Sequence, residues 1–488
     1  MGREEKDADN GDISRLAASH AAELRAQLVE LLKQGLAFKN PLIESAFLTI
    51  PREHFLPPEL TLEKVYTDDA IVVKYTDDGM PSSSSSQPYL MADMLEVLQL
   101  EPGMKVLEIG AGVGYNAAIM AYIVGTQGQV VTVELDTELA KNTYRKLQEL
   151  GEIYSKIKVI NTDGAGGFEE EAPYDRIIVT VQQWEVSPAW VSQLKVGGLL
   201  LVPISISRHV WGGLIPCFRK DADGILRAID SSTGGFMPMR GSMLHPLSRR
   251  FEPNSQLVTT CLPLDSILPL NLRVNGGKIY VTREASLDKY SALLEANYSH
   301  QKANGYLRRE LLDPASDIFQ DWYKNWGNNR QKWAQLENEQ RTAIGMAQGF
   351  NILLAAAHEK RICSLLVGNE VSTQEARNPN DRNSIRFDWR GMVLVVPTED
   401  EQALDLAIII NAESLLGWRI GISDSTSNQA LLLVEQVWDL WIELGCPQSS
   451  DYRPIAFPSG SNPPAPGFVV QRQYFDLLLP LGESDADF

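Results

Sequence analysis

The sequence predicts an α/β protein: a doubly wound, mainly parallel sheet in the first half and an α+β module in the second. Three observations carry that prediction. From Lys105 to about residue 205, short apolar runs alternate with helical patterns; the first run breaks into a glycine-rich turn; after about residue 246 the alternation stops. Near-continuous apolar strands separated by helices are what a parallel sheet covered on both faces requires.

Residues 1–12 (MGREEKDADNGD) are too charged to bury and are predicted as a disordered tail. SRLAASHAAELRAQLVELLKQG (14–35) places Leu24, Leu28, Leu31 and Leu32 at helical spacing, which gives an amphipathic helix. AFLTIPREHFLPPEL (46–60) reads as a short helix running into a proline-punctuated loop, and AIVVKY (70–75) as a strand. Five consecutive serines, Ser82 to Ser86, then lead into Gln87-Pro88. By composition a serine tract is a spacer. Here, however, Pro88 takes the favoured first position of a helix, YLMADMLEVLQL, with Gln87 as its cap.

The alternation follows: KVLEIG strand, GYNAAIMAYIVG helix, QVVTVEL strand, TELAKNTYRKLQELG helix, KIKVINTD strand, YDRIIVTV strand, PAWVSQLKVGG helix, LLLVPIS strand. Residues 209–240 read as a hairpin turned by Asp223-Gly224 at the sheet edge. Beyond it, LPLNLRVNGGKIYVTR suggests strands and 286–358 is mostly helical, with Trp322, Trp326 and Trp333. The segments IRFDWRGMVLVVP, EDEQALDLAIIINAESLL, WRIGISDS, NQALLLVEQVWDLWIEL and FVVQRQYFDLLL read strand, helix, strand, helix, strands. Seven of ten tryptophans lie in this half, which places them in its core. The domain expectation is a tail over 1–12, a catalytic domain over 13–245 and an α+β extension over 246–488.

Composition narrows the function classes. Net charge is −19: 22 basic and 33 acidic residues precede residue 246, and 22 basic and 30 acidic follow, so neither half resembles a nucleic-acid arm. Four scattered cysteines without a C-x-x-C pair indicate neither a zinc site nor a disulfide framework. Without an apolar run of membrane length or a signal-like h-region, the expected location is cytoplasmic and no membrane partner is expected.

The chemistry concentrates in a few places. In VLEIGAGVGYN (106–116) a strand breaks into Gly110, Gly112 and Gly114 before a helix, which lets the backbone turn sharply and approach a ligand. Glu134, 24 residues past Gly110 at the end of the second strand, can accept both hydroxyls of a ribose. Tyr115 occupies the place of the third glycine of a dinucleotide fingerprint, and Glu108 precedes the turn, which favours S-adenosylmethionine, a ligand without pyrophosphate. Asp163-Gly164 follows the third strand, in register to meet an adenine amino group.

PREHF (51–55), the serine tract with Gln87-Pro88, VLEIGAGVGYNAA, VELD, TDG, PYDRIIVT, LKVGGLLLVPI and FMPMRG, in that order, resemble the protein-L-isoaspartate O-methyltransferase family over about residues 40–241. The resemblance implies the Rossmann-like sheet of class I methyltransferases with an N-terminal extension that holds a substrate loop. It implies S-adenosylmethionine bound by Glu108, Gly110, Gly112, Gly114, Glu134, Asp163 and Gly164, and an acceptor protein or peptide bearing an isoaspartyl or aspartyl residue. The family loop ends Thr-Ile-Ser before Ala-Pro or Gln-Pro; Ser86 and Pro88 match, while Ser84 and Ser85 replace Thr and Ile. The expected acceptor side is therefore Ser86 first, then Ser85 and Ser84, with Pro88, Tyr66 and Asp68 shaping the pocket and the α-helix tip contributing N–H groups. Ser82 and Ser83 are expected to be linker. His54 is expected to pack within PREHF.

A carboxyl group with an ordinary pKa is already ionised at neutral pH, so methyl transfer to it needs no general base. TVQQWEVSP after the fourth strand lacks the Asn/Asp-Pro-Pro-aromatic motif of nucleic-acid amino methyltransferases. Two acceptor classes stay open: damaged proteins, or one ribosomally made peptide matured through an aspartimide, with residues 246–488 as its recruiting module. A non-catalytic module that merely binds the cofactor is the third possibility.

Overall fold

The computed structural model describes residues 4–35, 38–75, 81–206, 213–243, 262–263, 278–282, 304–307, 338–358, 362–370, 385–397, 404–410, 419–422, 429–445 and 447–481. These residues fall into two compact units. The first comprises the described residues up to Val181 together with Ser187–Val202; the second comprises Gln182–Val186 and the described residues from Pro203 onward, apart from 329–336.

The first unit opens with helices α1 (Glu4–Gly35), α2 (Pro41–Thr49) and α3 (Leu62–Val65), with a 3-10 turn at Arg52–Phe55 between the last two. Helix α1 includes residues 4–12, which the sequence reading assigns to a disordered tail; acidic residues at a helix N-terminus are favoured by its dipole. Strands β1 (Ile71–Tyr75) and β2 (Pro81–Ser85) pair antiparallel, with Ile71 opposite Ser85 and Val72 opposite Ser84. Helix α4 (Pro88–Leu98) follows.

The central sheet is made of β3 (Lys105–Ile109), β4 (Gln129–Glu134), β5 (Lys158–Asn161), β6 (Tyr174–Val179) and β7 (Leu194–Leu201), interleaved with α5 (Tyr115–Val124), α6 (Thr137–Glu149), α7 (Glu152–Ser155) and α8 (Pro188–Gln193). All neighbours within this set are parallel, in the order β5-β4-β3-β6-β7. The order reverses beside β3, and the crevice at the carboxyl ends of strands flanking such a switch point is where open α/β sheets bind ligands. Strands β3 and β4 are buried along nearly their whole length, which is why they read as continuous apolar runs. Helix α5 is apolar almost all round and is accordingly buried. Asp136 caps α6 by accepting from the Glu138 and Leu139 amides. Strand β7 begins at Leu194, inside the segment expected to continue a helix.

In the second unit, β8 (Gly213–Lys220) and β9 (Leu226–Gly234) form the expected hairpin, with Asp221 accepting from the amides of Asp223 and Ile225 at its turn. Strand β9 is not an edge: β17 (Ile455–Pro458) pairs with it, and β19 (Phe475–Pro480) and β18 (Gly467–Val470) extend the run. A second, antiparallel sheet has the order β10 (Leu262–Pro263), β11 (Lys278–Thr282), β13 (Ile362–Glu370), β14 (Ile385–Pro397), β15 (Leu404–Ile410), β16 (Arg419–Ile422), β12 (Asn304–Leu307). Helices α9 (Asn338–Ala357) and α10 (Gln429–Glu443) complete the unit. Phe350, Trp438 and Trp441 are buried with ring centroids 5.2–5.9 Å apart, so these two tryptophans are core. Trp322, Trp326 and Trp333 lie outside the described residues. The helix expected over EDEQALDLAIIINAESLL is corrected: Leu404–Ile410 is strand β15, because the Ile-Ile-Ile run pairs with β14 on one side and β16 on the other.

Candidate active site

The glycine turn between β3 and α5 lies beside the switch point of the sheet. Gly110, Gly112 and Gly114 have φ of +100°, +52° and +90°, a region that disfavours side chains. Space is short as well: a Cβ on Gly110 would lie 2.6 Å from Thr180 Oγ1, and one on Gly114 2.6 Å from Thr143 Cγ2. Thr180 Oγ1 donates within the same place, 2.7 Å from the Gly110 carbonyl, and Thr143 Oγ1 donates to the Gly112 carbonyl at 2.8 Å. The turn is thereby fixed from β6 and from α6.

Glu134 ends β4 and is almost fully buried. Its carboxylate accepts from the amides of Gly112 and Asp136, each at 2.9 Å, so the acid is tied to the glycine turn itself. A carboxylate can accept about four hydrogen bonds, so both contacts are compatible with a ribose diol donating to the same group. Asp163 caps the single 3-10 turn Gly164–Gly166, accepting from the Ala165 amide at 3.0 Å. Gly164 is required there, since a Cβ would fall 2.6 Å from Ile109 Cγ2. These residues fit a nucleoside-bearing cofactor. Glu108 lies on β3, just before the turn. It is fully buried, its carboxyl receiving Thr132 Oγ1 at 2.6 Å and Asn116 Nδ2 at 2.8 Å, and burial pushes its pKa up to about 7.

The serine tract is not a linker. Ser82 to Ser85 belong to β2, and Ser83 and Ser85 are buried on one of its faces. A Cβ on Gly112 would sit 3.7 Å from the Ser84 carbonyl and 3.8 Å from Ser83 Oγ, so β2 lies across the glycine turn. Lys74 on β1 anchors the hairpin there, 2.7 Å from Asp136 and 3.0 Å from Glu138, just beyond Glu134. Ser85 Oγ is buried without a hydrogen-bond partner. Ser86 and Pro88 follow as the junction into α4, Ser86 half-buried and Pro88 buried.

Two expectations around this junction change. Gln87 is the first-turn boundary residue of α4 but makes no side-chain cap; its Nε2 donates to Asp68 at 2.8 Å. Asp68 supplies the cap instead, accepting from the Tyr89 amide at 2.8 Å, so a carboxylate of this chain already sits at the helix tip. Burial raises the Asp68 pKa, against those two bonds. The Tyr66 hydroxyl donates to Glu53 and accepts from Arg25 Nε. His54 holds the carbonyl of Lys146 at 2.8 Å, a packing role as expected. Arg52, Thr143 and Thr180 are not among the expected site residues; Arg52 stands inside the quoted PREHF motif and Thr180 ends the quoted PYDRIIVT, while Thr143 carries no local signal.

The strand order, the positive-φ glycine turn and the acid bonded to it together define a Rossmann-like domain of the nucleoside-binding methyltransferase class. A family model described as protein-L-isoaspartate(D-aspartate) O-methyltransferase matches residues 23–242. A protein-L-isoaspartate O-methyltransferase of Methanothermobacter thermautotrophicus is 36% identical over 219 residues, 45% of this chain and 95% of the relative. One of Thermotoga maritima is 46% identical over 164 residues, 34% of this chain and 50% of the relative. A solved protein-L-isoaspartate O-methyltransferase aligns over 93% of this chain and 99% of its own, at 21% identity and a TM-score of 0.45. The chain belongs to the protein-L-isoaspartate(D-aspartate) O-methyltransferase family. Among the described residues no helix is long and apolar enough to cross a membrane.

Proposed function

We propose that this chain is an S-adenosylmethionine-dependent O-methyltransferase that esterifies an isoaspartyl carboxylate of a protein or peptide, with the β1–β2 hairpin as the acceptor side of its site. The observation that carries the reading is the placement of a serine strand across the glycine turn, with Ser85 Oγ buried and unpartnered. Leaving a buried hydroxyl unpaired costs on the order of 1–3 kcal/mol, and a bound carboxylate oxygen would relieve it.

S-adenosylmethionine supplies a methyl group on a positively charged sulfur when bound. Gly110, Gly112, Gly114, Glu134, Asp163 and Gly164 would hold it. Ser85 and Ser86 donate to the acceptor carboxylate and select the oxygen that faces the methyl group. The acceptor arrives ionised, so these residues need move no proton; their contribution is orientation and exclusion of water. Pro88 contributes by fixing the backbone after Ser86. Glu108 supports the turn from below.

A second acceptor reading has its own support: the family match ends at residue 242, and the second unit continues to the C-terminus. An added unit fits recruitment of one dedicated peptide whose aspartate is esterified. One experiment separates the two. Isoaspartyl and aspartyl versions of one peptide are offered with methyl-labelled cofactor, and base-labile label is counted. Transfer to the isoaspartyl peptide alone supports the first reading, transfer to aspartyl alone the second, and transfer to neither peptide nor to any protein sinks both. Within the active pair, Ser86→Ala and Ser85→Ala are expected to lower kcat/KM by about 10- to 100-fold. Affinity for S-adenosylhomocysteine, measured by calorimetry, should stay unchanged.

A further inference from the structure

We infer that Arg52 and Asp68 are positioning residues that hold Ser86 from its two sides, an inference that rests on the acceptor reading of the serine hairpin. Arg52 is a fully buried guanidinium. Its Nη1 donates to the carbonyls of Val65 at 2.8 Å and Thr67 at 2.9 Å; its Nη2 donates to those of Asp69 at 2.9 Å and Ser86 at 3.1 Å. Its Nε has no partner. Three of the four acceptors belong to one strap, 65–69, and the fourth is the carbonyl of the serine that ends the tract.

The strap passes this hold on. Asp68, between two of the carbonyls that Arg52 grips, receives Gln87 Nε2 and the Tyr89 amide, each at 2.8 Å. Ser86 is therefore bracketed: its own carbonyl is fixed by Arg52, and the residues after it are fixed by Asp68. Rotation of the backbone at Ser86 would break one bond or the other, so the direction in which its side chain leaves the backbone is set.

Stability does not account for this arrangement. A guanidinium taken out of water and bonded to neutral carbonyls alone is costly to bury, and an apolar residue of similar volume is commonly as stable or more so. Burial accordingly lowers the Arg52 pKa, offset in part by the nearby Tyr115, Asp68, Tyr66 and Asp69. What a planar fork provides and an apolar side chain does not is a fixed angle between two segments that are distant in sequence.

Arg52→Lys keeps the charge and loses the fork. We expect kcat/KM for an isoaspartyl hexapeptide to fall about 30- to 100-fold, the scale of an ångström-sized misplacement of a reacting group. The dissociation constant for S-adenosylhomocysteine should stay within about 3-fold, and Arg52→Lys added to Ser86→Ala should cost less than about 3-fold, because both act through one side chain. The inference is overturned if Arg52→Lys costs less than about 3-fold, weakens cofactor binding in parallel, or costs as much beside Ser86→Ala as alone. If Arg52→Lys does not fold, Gln87→Ala cuts the other side of the bracket at a half-buried residue and is judged by the same three criteria. The acceptor reading fails separately: Ser86→Ala would then be indistinguishable from the wild-type protein.

Discussion

The glycine turn and the serine hairpin face each other across the candidate site, yet they are held in place by different means. The turn is fixed by a backbone with three positive-φ residues, by one acid bonded to the Gly112 amide, and by the Thr143 and Thr180 hydroxyls on the Gly112 and Gly110 carbonyls. The hairpin is fixed by side chains from elsewhere: Lys74 to Asp136, Arg52 to Ser86, Asp68 to Gln87 and Tyr89. Cofactor-side geometry thus starts from the positive φ angles of one turn, while acceptor-side geometry rests wholly on side chains that reach between distant segments.

The comparison is most easily broken at Gly110. An alanine there combines an unfavourable φ of +100° with a Cβ 2.6 Å from Thr180 Oγ1, which itself holds the Gly110 carbonyl. Gly110→Ala should weaken S-adenosylhomocysteine binding by 100-fold or more, on the order of 3 kcal/mol, by calorimetry. Gly112→Ala meets only ordinary contacts, at 3.7 and 3.8 Å, so its cost should be that of the φ alone, about 1 kcal/mol. Equal effects at the two positions would show that the turn is not held by crowding.

That contrast also explains what could be read from the sequence. The glycine turn, Glu134 at its strand end and Asp163-Gly164 are local patterns, and each stands where the pattern places it. Ser83 reads as linker by composition, which says nothing about pairing with β1 or about the turn beneath it. The bonds of Asp68 to Gln87 and Tyr89 span about twenty positions that no periodicity connects, so its capping role is not legible in the sequence. Arg52 stands in a quoted motif, but its four carbonyl partners become visible only when residues 65–69 and 86 are brought together. In the second unit the apolar Leu404–Ile410 run suits either a helix or a strand by composition, and its two neighbours decide for the strand.

A second, smaller test sharpens the cofactor side. Glu134→Gln keeps an acceptor for the Gly112 amide while removing the charge and one acceptor oxygen. We expect S-adenosylhomocysteine affinity to fall about 10- to 30-fold, roughly 1.5–2 kcal/mol, the worth of a hydrogen bond to a charged group. With Ser86 untouched, kcat at saturating cofactor should change little. A fall in kcat with unchanged cofactor affinity would move Glu134 from the cofactor side to the acceptor side.

The last effect is on stability rather than on binding, and it separates Glu108 from the ligand-facing acid. Its pKa is pushed to about 7 by burial, above the ordinary value of 4.5, so between those two pH values the folded chain binds a proton that the unfolded chain has released. Stability from this group is complete below pH 4.5 and is lost as pH rises to about 7, by up to on the order of 3 kcal/mol. Glu108→Gln mimics the protonated acid: the amide can still accept from Asn116, and the Thr132 hydroxyl can turn to accept from the new N–H. The variant should match the wild-type melting temperature near pH 5 and exceed it by several degrees at pH 8. Cofactor affinity at pH 6 should be unchanged, since the carboxyl lies beneath the turn. A variant that melts lower than wild type at every pH would mean that Thr132 and Asn116 require the charged form, and would place Glu108 with Glu134 among the ionised acids of the site.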